Sequence, residues 1–127
     1  AAARETLAFL GLEDLALALP SELSYGRQKQ VEFARALMQK ARLILLDEPM
    51  AGMSMAEKAV MSGLIARVKR EYGITFLIVE HDIPVVMDLS DHIVVLDFGC
   101  KIADGSPAVV RLDPVVIAAY LGTDSCH

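Results

Sequence analysis

Leu43-Ile44-Leu45-Leu46-Asp47-Glu48-Pro49 is the stretch whose reading decides the fold. Four consecutive large aliphatics cannot alternate between core and solvent, so the run predicts a strand buried on both faces, as in a parallel sheet covered by helices. It ends in two adjacent carboxylates. Ligands of open α/β sheets bind outside the carboxyl ends of the strands, which makes that end a functional address. There Asp47 could hold a metal ion through water, while Glu48 could orient or deprotonate an attacking water. Two solvated acids at a strand end are the alternative, because an isolated D-E-P tripeptide is short and common.

Upstream of this strand, Leu23-Ser24-Tyr25-Gly26-Arg27-Gln28 runs into Val31-Glu32-Phe33-Ala34-Arg35-Ala36-Leu37-Met38. Val31, Ala34 and Met38 share a helical face that Phe33 and Leu37 widen, which predicts a helix from just after Ser24 to near Lys40. Ser24 and Gly26 then sit at its N-terminus. Unpaired backbone N–H groups, the positive end of the helix dipole, a hydroxyl and a glycine suit such a place to phosphate oxygens. Ordinary N-capping by Ser24 is the plainer alternative. Before it, residues 1–10 and 12–19 carry helix formers broken at Gly11 and closed by Pro20-Ser21, predicting two short helices.

Downstream, Met50 to Met53 form a loop, and Ser54 with Glu57 three residues on makes a capping-box pattern. Val60, Met61, Leu64, Ile65 and Val68 give the following helix its buried stripe, with the methionines as core filling. Tyr72-Gly73 ends it. Ile74 to Val79 is a second buried strand, and Glu80, His81 and Asp82 stand at its end. A histidine there is either a hydrogen-bonded structural residue or a phosphate sensor on the same sheet edge as Glu48. Asp82 caps a short helix over 84–89 with Pro84 in its first turn. Ile93 to Asp97 is a third strand, returned by a hairpin through Phe98-Gly99-Cys100 into Lys101 to Gly105. Ser106-Pro107 and Asp113-Pro114 each start a small helix, and residues 123–127 fray. His92 and His127 have no partner pattern and read as structural or surface residues.

Composition bounds the partners. The 127 residues make one domain or part of one, and 54% are hydrophobic, but no apolar run approaches the roughly 18 to 20 residues of a membrane span. A net charge of −5 and a pI near 5.1 argue against a general nucleic-acid surface. Cys100 and Cys126 lie far apart in no metal-ligand pattern, which points to free thiols in a reducing compartment. The chain starts Ala-Ala-Ala-Arg-Glu, with neither an initiator Met nor a basic leader, and reads as cut from something longer.

Taken together, Leu23-Ser24-Tyr25-Gly26 before an A-R-A-L helix, Leu43 to Pro49 after it, and Glu80-His81-Asp82 after the next strand resemble the signature motif, Walker B and switch histidine of ABC transporter ATP-binding subunits. The tail, Lys101 to Pro107 and Asp113 to Gly122, is similar to the end of the branched-chain amino acid importer type. The resemblance implies an α/β fold: a partial P-loop NTPase-like (ABC ATPase) domain with a mostly parallel sheet flanked by helices. Residues 1–127 would be the C-terminal part of that single domain. Of these, 1–40 belong to the helical signature subdomain, and 41–127 carry Walker B, the D-loop, the switch histidine and the C-terminal hairpin.

The same resemblance implies roles. Glu48 acts on the attacking water, His81 contacts the γ-phosphate, and Asp47 positions Mg2+ through water. Ser24, Tyr25, Gly26 and Gln28 contact ATP in trans, across a head-to-tail dimer with a second ATP-binding subunit. Transmembrane permease subunits would hold the pair at the cytoplasmic face of the inner membrane and receive solute from an extracytoplasmic binding protein; nucleic acid is not an expected partner. No G-x-x-x-x-G-K-[ST] occurs in these residues and no Q-loop, so the chain by itself is expected to be inactive. Tyr25 and Arg27 replace the usual Gly and Gln of the signature, and Ser54 stands where Asp or Asn is usual. Two other readings use the same motifs: an ABC-type ATPase head in DNA repair or chromosome structure, which adjoining coiled-coil arms would support, and a non-catalytic ABC-fold regulatory module.

Overall fold

Strand β1 (Leu43–Asp47) pairs in parallel with β2 (Thr75–Val79), in register from Leu43 opposite Thr75 to Asp47 opposite Val79. A parallel pair needs a crossover connection, and helix α3 (Met55–Tyr72) provides it. The helix is well specified at both ends. The Ser54 hydroxyl accepts from the Glu57 N–H at 3.2 Å while the Glu57 carboxylate accepts from the Ser54 N–H at 2.9 Å, closing the expected capping box. At the other end Gly73 takes φ +63°, and its N–H returns to the Lys69 carbonyl. A side chain would strain that left-handed position.

The computed structural model describes residues 2–121, divided into two compact units, Ala1–His81 and Asp82–His127. The expected features of residues 123–127, including Cys126 and His127, lie outside the described residues. In the first unit, α1 (Ala2–Leu10) and α2 (Tyr25–Met38) complete the helical complement. Phe9 of α1 meets Tyr72 edge-on at 4.8 Å between ring centroids, and the Arg67 guanidinium lies 4.3 Å from the Phe9 ring. Phe33 of α2 packs against Phe76 of β2. Met50, Met53, Met61, Ile65 and Val68 are buried, so these three methionines fill the core, whereas Met55 at the start of α3 is 88% exposed.

Four expectations need correction. Residues 12–19 do not form a second helix: Leu12 folds inward, Glu13–Leu15 make one 3-10 turn, and Leu17 is 93% exposed. With Leu12 buried, Leu15 only partly so and Leu17 and Leu19 in water, no continuous apolar face exists to hold a helix there, and helix propensity alone does not supply one. The buried stripe of α2 is Gly26, Gln30, Phe33, Ala34 and Leu37, rotated away from Met38, which is exposed. In α3, Met61, Ile65 and Val68 are buried, whereas Val60 is exposed and Leu64 only half-buried. Finally, β1 and β2 are covered on one face. Ile44, Leu46, Phe76 and Ile78 turn inward, while Leu43, Leu45, Leu77 and Val79 are 52%, 67%, 59% and 57% exposed.

The second unit contains helix α4 (Ile83–Leu89), the antiparallel hairpin of β3 (Ile93–Asp97) and β4 (Cys100–Gly105), and the small helices α5 (Pro107–Val110) and α6 (Pro114–Val116). The third strand therefore pairs in a two-stranded sheet of its own, distinct from β1 and β2. Phe98 and Gly99, at φ +47° and +77°, form the two-residue turn whose twist matches antiparallel strands. Asp82, Ser106 and Asp113 cap α4, α5 and α6 as their sequence positions predict. Ile93, Val110 and Val116 form the core, with Met87, Val95 and Ile102 against it. The Tyr120 hydroxyl donates to the Leu96 carbonyl. His92 is a surface residue, as expected, paired with Asp104 at 2.5 Å. Lys101 on the other oxygen, and then His92, hold the Asp104 carboxyl below its ordinary range. Cys100 is an exposed free thiol. Among the described residues, no helix is long and apolar enough to cross a membrane.

The half-covered sheet generates a prediction. Leaving four aliphatics about half in water forgoes on the order of 1 kcal/mol each, so the 127-residue chain should self-associate and take up a hydrophobic dye. Leu45→Lys combined with Leu77→Glu, an opposite-charge pair across the strands, should shift light scattering toward monomer. A wild-type chain that is monodisperse, monomeric and dye-free counts against this.

Candidate functional site

The parallel register sets two strand ends side by side, and the side chains just beyond them meet. The Glu48 N–H donates to the Val79 carbonyl at 2.8 Å, one rung past the end of the β1–β2 ladder. His81 Nδ1 lies 3.2 Å from Glu48 Oε1. With Glu48 ionised, the carboxylate is an acceptor only, so Nδ1 carries the proton in this contact. Both side chains are mostly exposed, as is Asp47 next to Glu48. The backbone of Glu48 is left-handed at φ +46°, an unusual conformation for a residue with a side chain. It swings the carboxylate out of the alternation of β1 and toward the end of β2.

A second cluster surrounds the start of α2. Ser24 is its N-cap: the hydroxyl accepts from the Arg27 N–H at 3.3 Å. Arg27 in turn binds Asp14 at 2.7 Å. The Gln28 side-chain amide donates to the carbonyls of Pro20 and Leu23 at 3.1 and 3.2 Å, tying the approach loop onto the helix that Ser24 opens. Lys29 lies 5.5 Å from the Tyr25 ring centroid and 3.1 Å from Glu32, which raises the lysine's pKa. Ser24, Tyr25 and Gln28 are exposed, whereas Gly26 is buried. A Cβ on Gly26 would stand 2.8 Å from Glu57 Oε1, and one on Gly52 would stand 3.0 Å from the Tyr25 ring. The turn that opens α2 is thereby packed against the loop and helix that follow Glu48.

The structure thus joins Glu48 with His81, leaves Asp47 exposed as the chain neighbour of Glu48, and groups Ser24, Tyr25, Gly26 and Gln28 separately at the start of α2. Three contacts of this architecture escape motif reading. Glu57 has a double use, as capping box and as the surface on which Gly26 lies; Gly52 makes room for Tyr25. Glu80 accepts from the Met50 N–H at 3.0 Å and from the His81 N–H at 3.1 Å. Its position immediately before the strand-end histidine was the one available signal.

Known proteins match in sequence and in shape. The family model for ABC transporters matches residues 1–51, and the model for branched-chain amino acid ATP-binding cassette transporters matches residues 100–125. BraF of Pseudomonas aeruginosa, a high-affinity branched-chain amino acid transport ATP-binding protein, is 46% identical over 79% of this chain and 39% of its own length. LivG of Escherichia coli, of the same description, is 39% identical over 89% of this chain and 44% of its own.

The chain belongs to the ATP-binding cassette family of ABC transporters. It spans less than half the length of these curated relatives. The ADP conformation of the cassette MJ1267 superposes with a TM-score of 0.84 at 37% identity, covering 94% of this chain and 48% of that one. A chain from the inward-facing conformation of a metal-chelate type ABC transporter reaches 0.86 at 23% identity, covering 95% of this chain and 47% of that one, a likeness of fold alone. The α/β architecture of this cassette chain is accordingly a partial P-loop NTPase-like fold, and its family is nucleotide-binding.

Packing of Gly26 against Glu57 can be measured. Gly26→Ala should push the Glu57 carboxylate aside and break its capping box, lowering stability by about 1 kcal/mol in urea unfolding. In a Glu57→Ala background the same substitution should be neutral or slightly stabilising, since Ala is the better helix residue. Equal costs in both backgrounds would mean that Glu57 is not what excludes the methyl group.

Proposed function

We propose that this chain is part of the ATP-binding subunit of an ABC importer, and that the intact subunit couples ATP hydrolysis to the import of branched-chain amino acids. The observation that carries the reading is the Glu48–His81 pair, 3.2 Å apart at adjacent parallel strand ends in a chain of the cassette family. The solute follows from the branched-chain amino acid transport proteins among its relatives and from the match of residues 100–125.

In this reading Glu48 takes the proton of the attacking water. His81 hydrogen-bonds Glu48 through Nδ1 and presents Nε2 toward the terminal phosphate. With Nδ1–H already given to Glu48, Nε2 donates to a phosphate oxygen only in the imidazolium form. Asp47 would be the residue to hold Mg2+. Among the described residues no three acidic, His or Cys side chains converge into a metal cage, and one carboxylate with waters and phosphate oxygens is the donor set that Mg2+ favours. The ion, when bound, supplies charge neutralisation at the phosphates.

Ser24, Tyr25, Gly26 and Gln28 act in trans on nucleotide held by a second ATP-binding subunit. The Ser24 O–H and the Tyr25 and Gly26 amides at the start of α2, the Arg27 amide being taken by Ser24 Oγ, suit phosphate oxygens. Gly26 contributes backbone alone, and Gln28 holds the approach loop. Residues 1–40 then form the signature part of the domain and 41–127 the hydrolytic and C-terminal part. ATP binding closes two such subunits head to tail, and hydrolysis reopens them. Permease subunits at the cytoplasmic face of the inner membrane convert that cycle into transport, with solute delivered by an extracytoplasmic binding protein.

Two mutants separate chemistry from assembly. In the full-length subunit, Glu48→Gln should lower turnover roughly 10²- to 10⁴-fold and accumulate an ATP-bound dimer on size-exclusion chromatography. Ser24→Arg should abolish that dimer by crowding the facing phosphate. A Glu48→Gln protein that hydrolyses normally, or that binds ATP without dimerising, would refute the assignment. The 127-residue chain, which contains no glycine-rich phosphate loop, should release no phosphate above background in a steady-state assay.

A further inference from the structure

We propose that Glu80 is a positioning residue for this site: its carboxylate clasps the loop after Glu48 to the strand end that bears His81, and so sets the Glu48–His81 contact. The inference rests on the reading of Glu48 as the water-activating carboxylate. Its basis is one side chain accepting from two backbone donors, Met50 and His81, that lie far apart in the chain. Oε1 accepts from the Met50 N–H at 3.0 Å and Oε2 from the His81 N–H at 3.1 Å.

The β1–β2 ladder cannot make this connection itself. Its last backbone rung is Glu48 N–H to Val79 carbonyl. Beyond it Glu48 turns left-handed, and the Ala51 N–H returns to the Glu48 carbonyl, carrying the chain away from β2. Met50 is buried at that point, and without Glu80 its N–H would face the interior where the ladder no longer offers a carbonyl. A buried donor of this kind is held to its acceptor strongly, the more so when the acceptor is charged.

The tether is short on both sides. Between Met50 and Glu48 stands only Pro49, buried and with φ fixed by its ring, and Glu80 is bonded directly to His81. Few torsions therefore separate either reacting side chain from the clasp. Both carboxylate oxygens are needed. Glutamine offers one acceptor oxygen and an NH2 that cannot accept, and aspartate is one methylene shorter.

The test uses the full-length subunit. Hydrogen exchange resolved to single amides should show Met50 and His81 both exchanging at least tenfold faster in Glu80→Ala, and one of the two faster in Glu80→Gln, at unchanged circular dichroism. Glu80→Gln should lower kcat about 10- to 100-fold, the scale of an ångström-sized misplacement, with the KM for ATP within about twofold of wild type. Added to Glu48→Gln, it should cause no further loss, since there is no base left to misplace. Unchanged Met50 exchange in Glu80→Ala, a rise in KM that accounts for the activity lost, or a multiplicative loss in the double variant would each overturn the proposal. If Glu48→Gln is impaired but Glu80→Gln is not, only the positioning role falls. If Glu48→Gln is itself unimpaired, the underlying reading of the site falls first.

Discussion

Parallel pairing of two short strands in one register is the constraint on which the first unit depends. Because Asp47 stands opposite Val79, the residues after each strand emerge at the same edge, and Glu48 and His81 meet without any long loop to bring them together. A slip of one residue would turn each side chain of one strand to the other face of the sheet. Helices then hold that register from one side. Phe33 of α2 packs against Phe76, and the crossover helix α3 is fixed at its start by the Ser54–Glu57 box and at its end by Gly73. Local end signals of this kind each contribute about 1 kcal/mol, small beside the core but decisive for where a helix begins.

Much of this was legible because it is local. Caps, the glycine stop, the Phe98-Gly99 hairpin and the strand-end acids are written in neighbouring residues, and each occurs where the sequence puts it. What was not legible depends on neighbours distant in the chain. Leu43 to Leu46 read as a strand buried twice over, yet periodicity reports which side chains alternate, not which face another element covers. Leu43 and Leu45 lie in solvent on the same apolar run that buries Ile44. The segment after Gly11 failed for a related reason. Its helix formers have no buried stripe, and the chain makes a single 3-10 turn instead.

At the site the division is similar. Motif positions single out Asp47, Glu48, His81 and Ser24 as candidates because the chemistry proposed for them is in the side chain itself. They do not reveal that Gly26 is a glycine for want of space beside Glu57, or that Gly52 yields room to Tyr25. Those are packing facts between α2 and the loop and helix after Glu48. They tie the turn proposed to face a partner's nucleotide to the element that begins at the proposed catalytic carboxylate, so that a shift at either one is resisted by the other.

The left-handed backbone of Glu48 links the strand register to the side-chain pair at its edge. A non-glycine residue at φ +46° costs on the order of 1 kcal/mol, and a glycine there would be cheaper in conformation but would lack the carboxylate. The strained geometry persists because it is held from both sides: by the Glu48 N–H on the Val79 carbonyl before it, and by the Ala51 and Met50 amides after it. Removing the strain would return the residue to the extended alternation of β1, where its side chain would follow the sheet faces instead of pointing along the strand axis toward His81. The conformation is therefore not an incidental feature of a tight turn. It is the means by which a side chain at the end of one strand is made to face the end of the next, and the surrounding hydrogen bonds are what make it affordable.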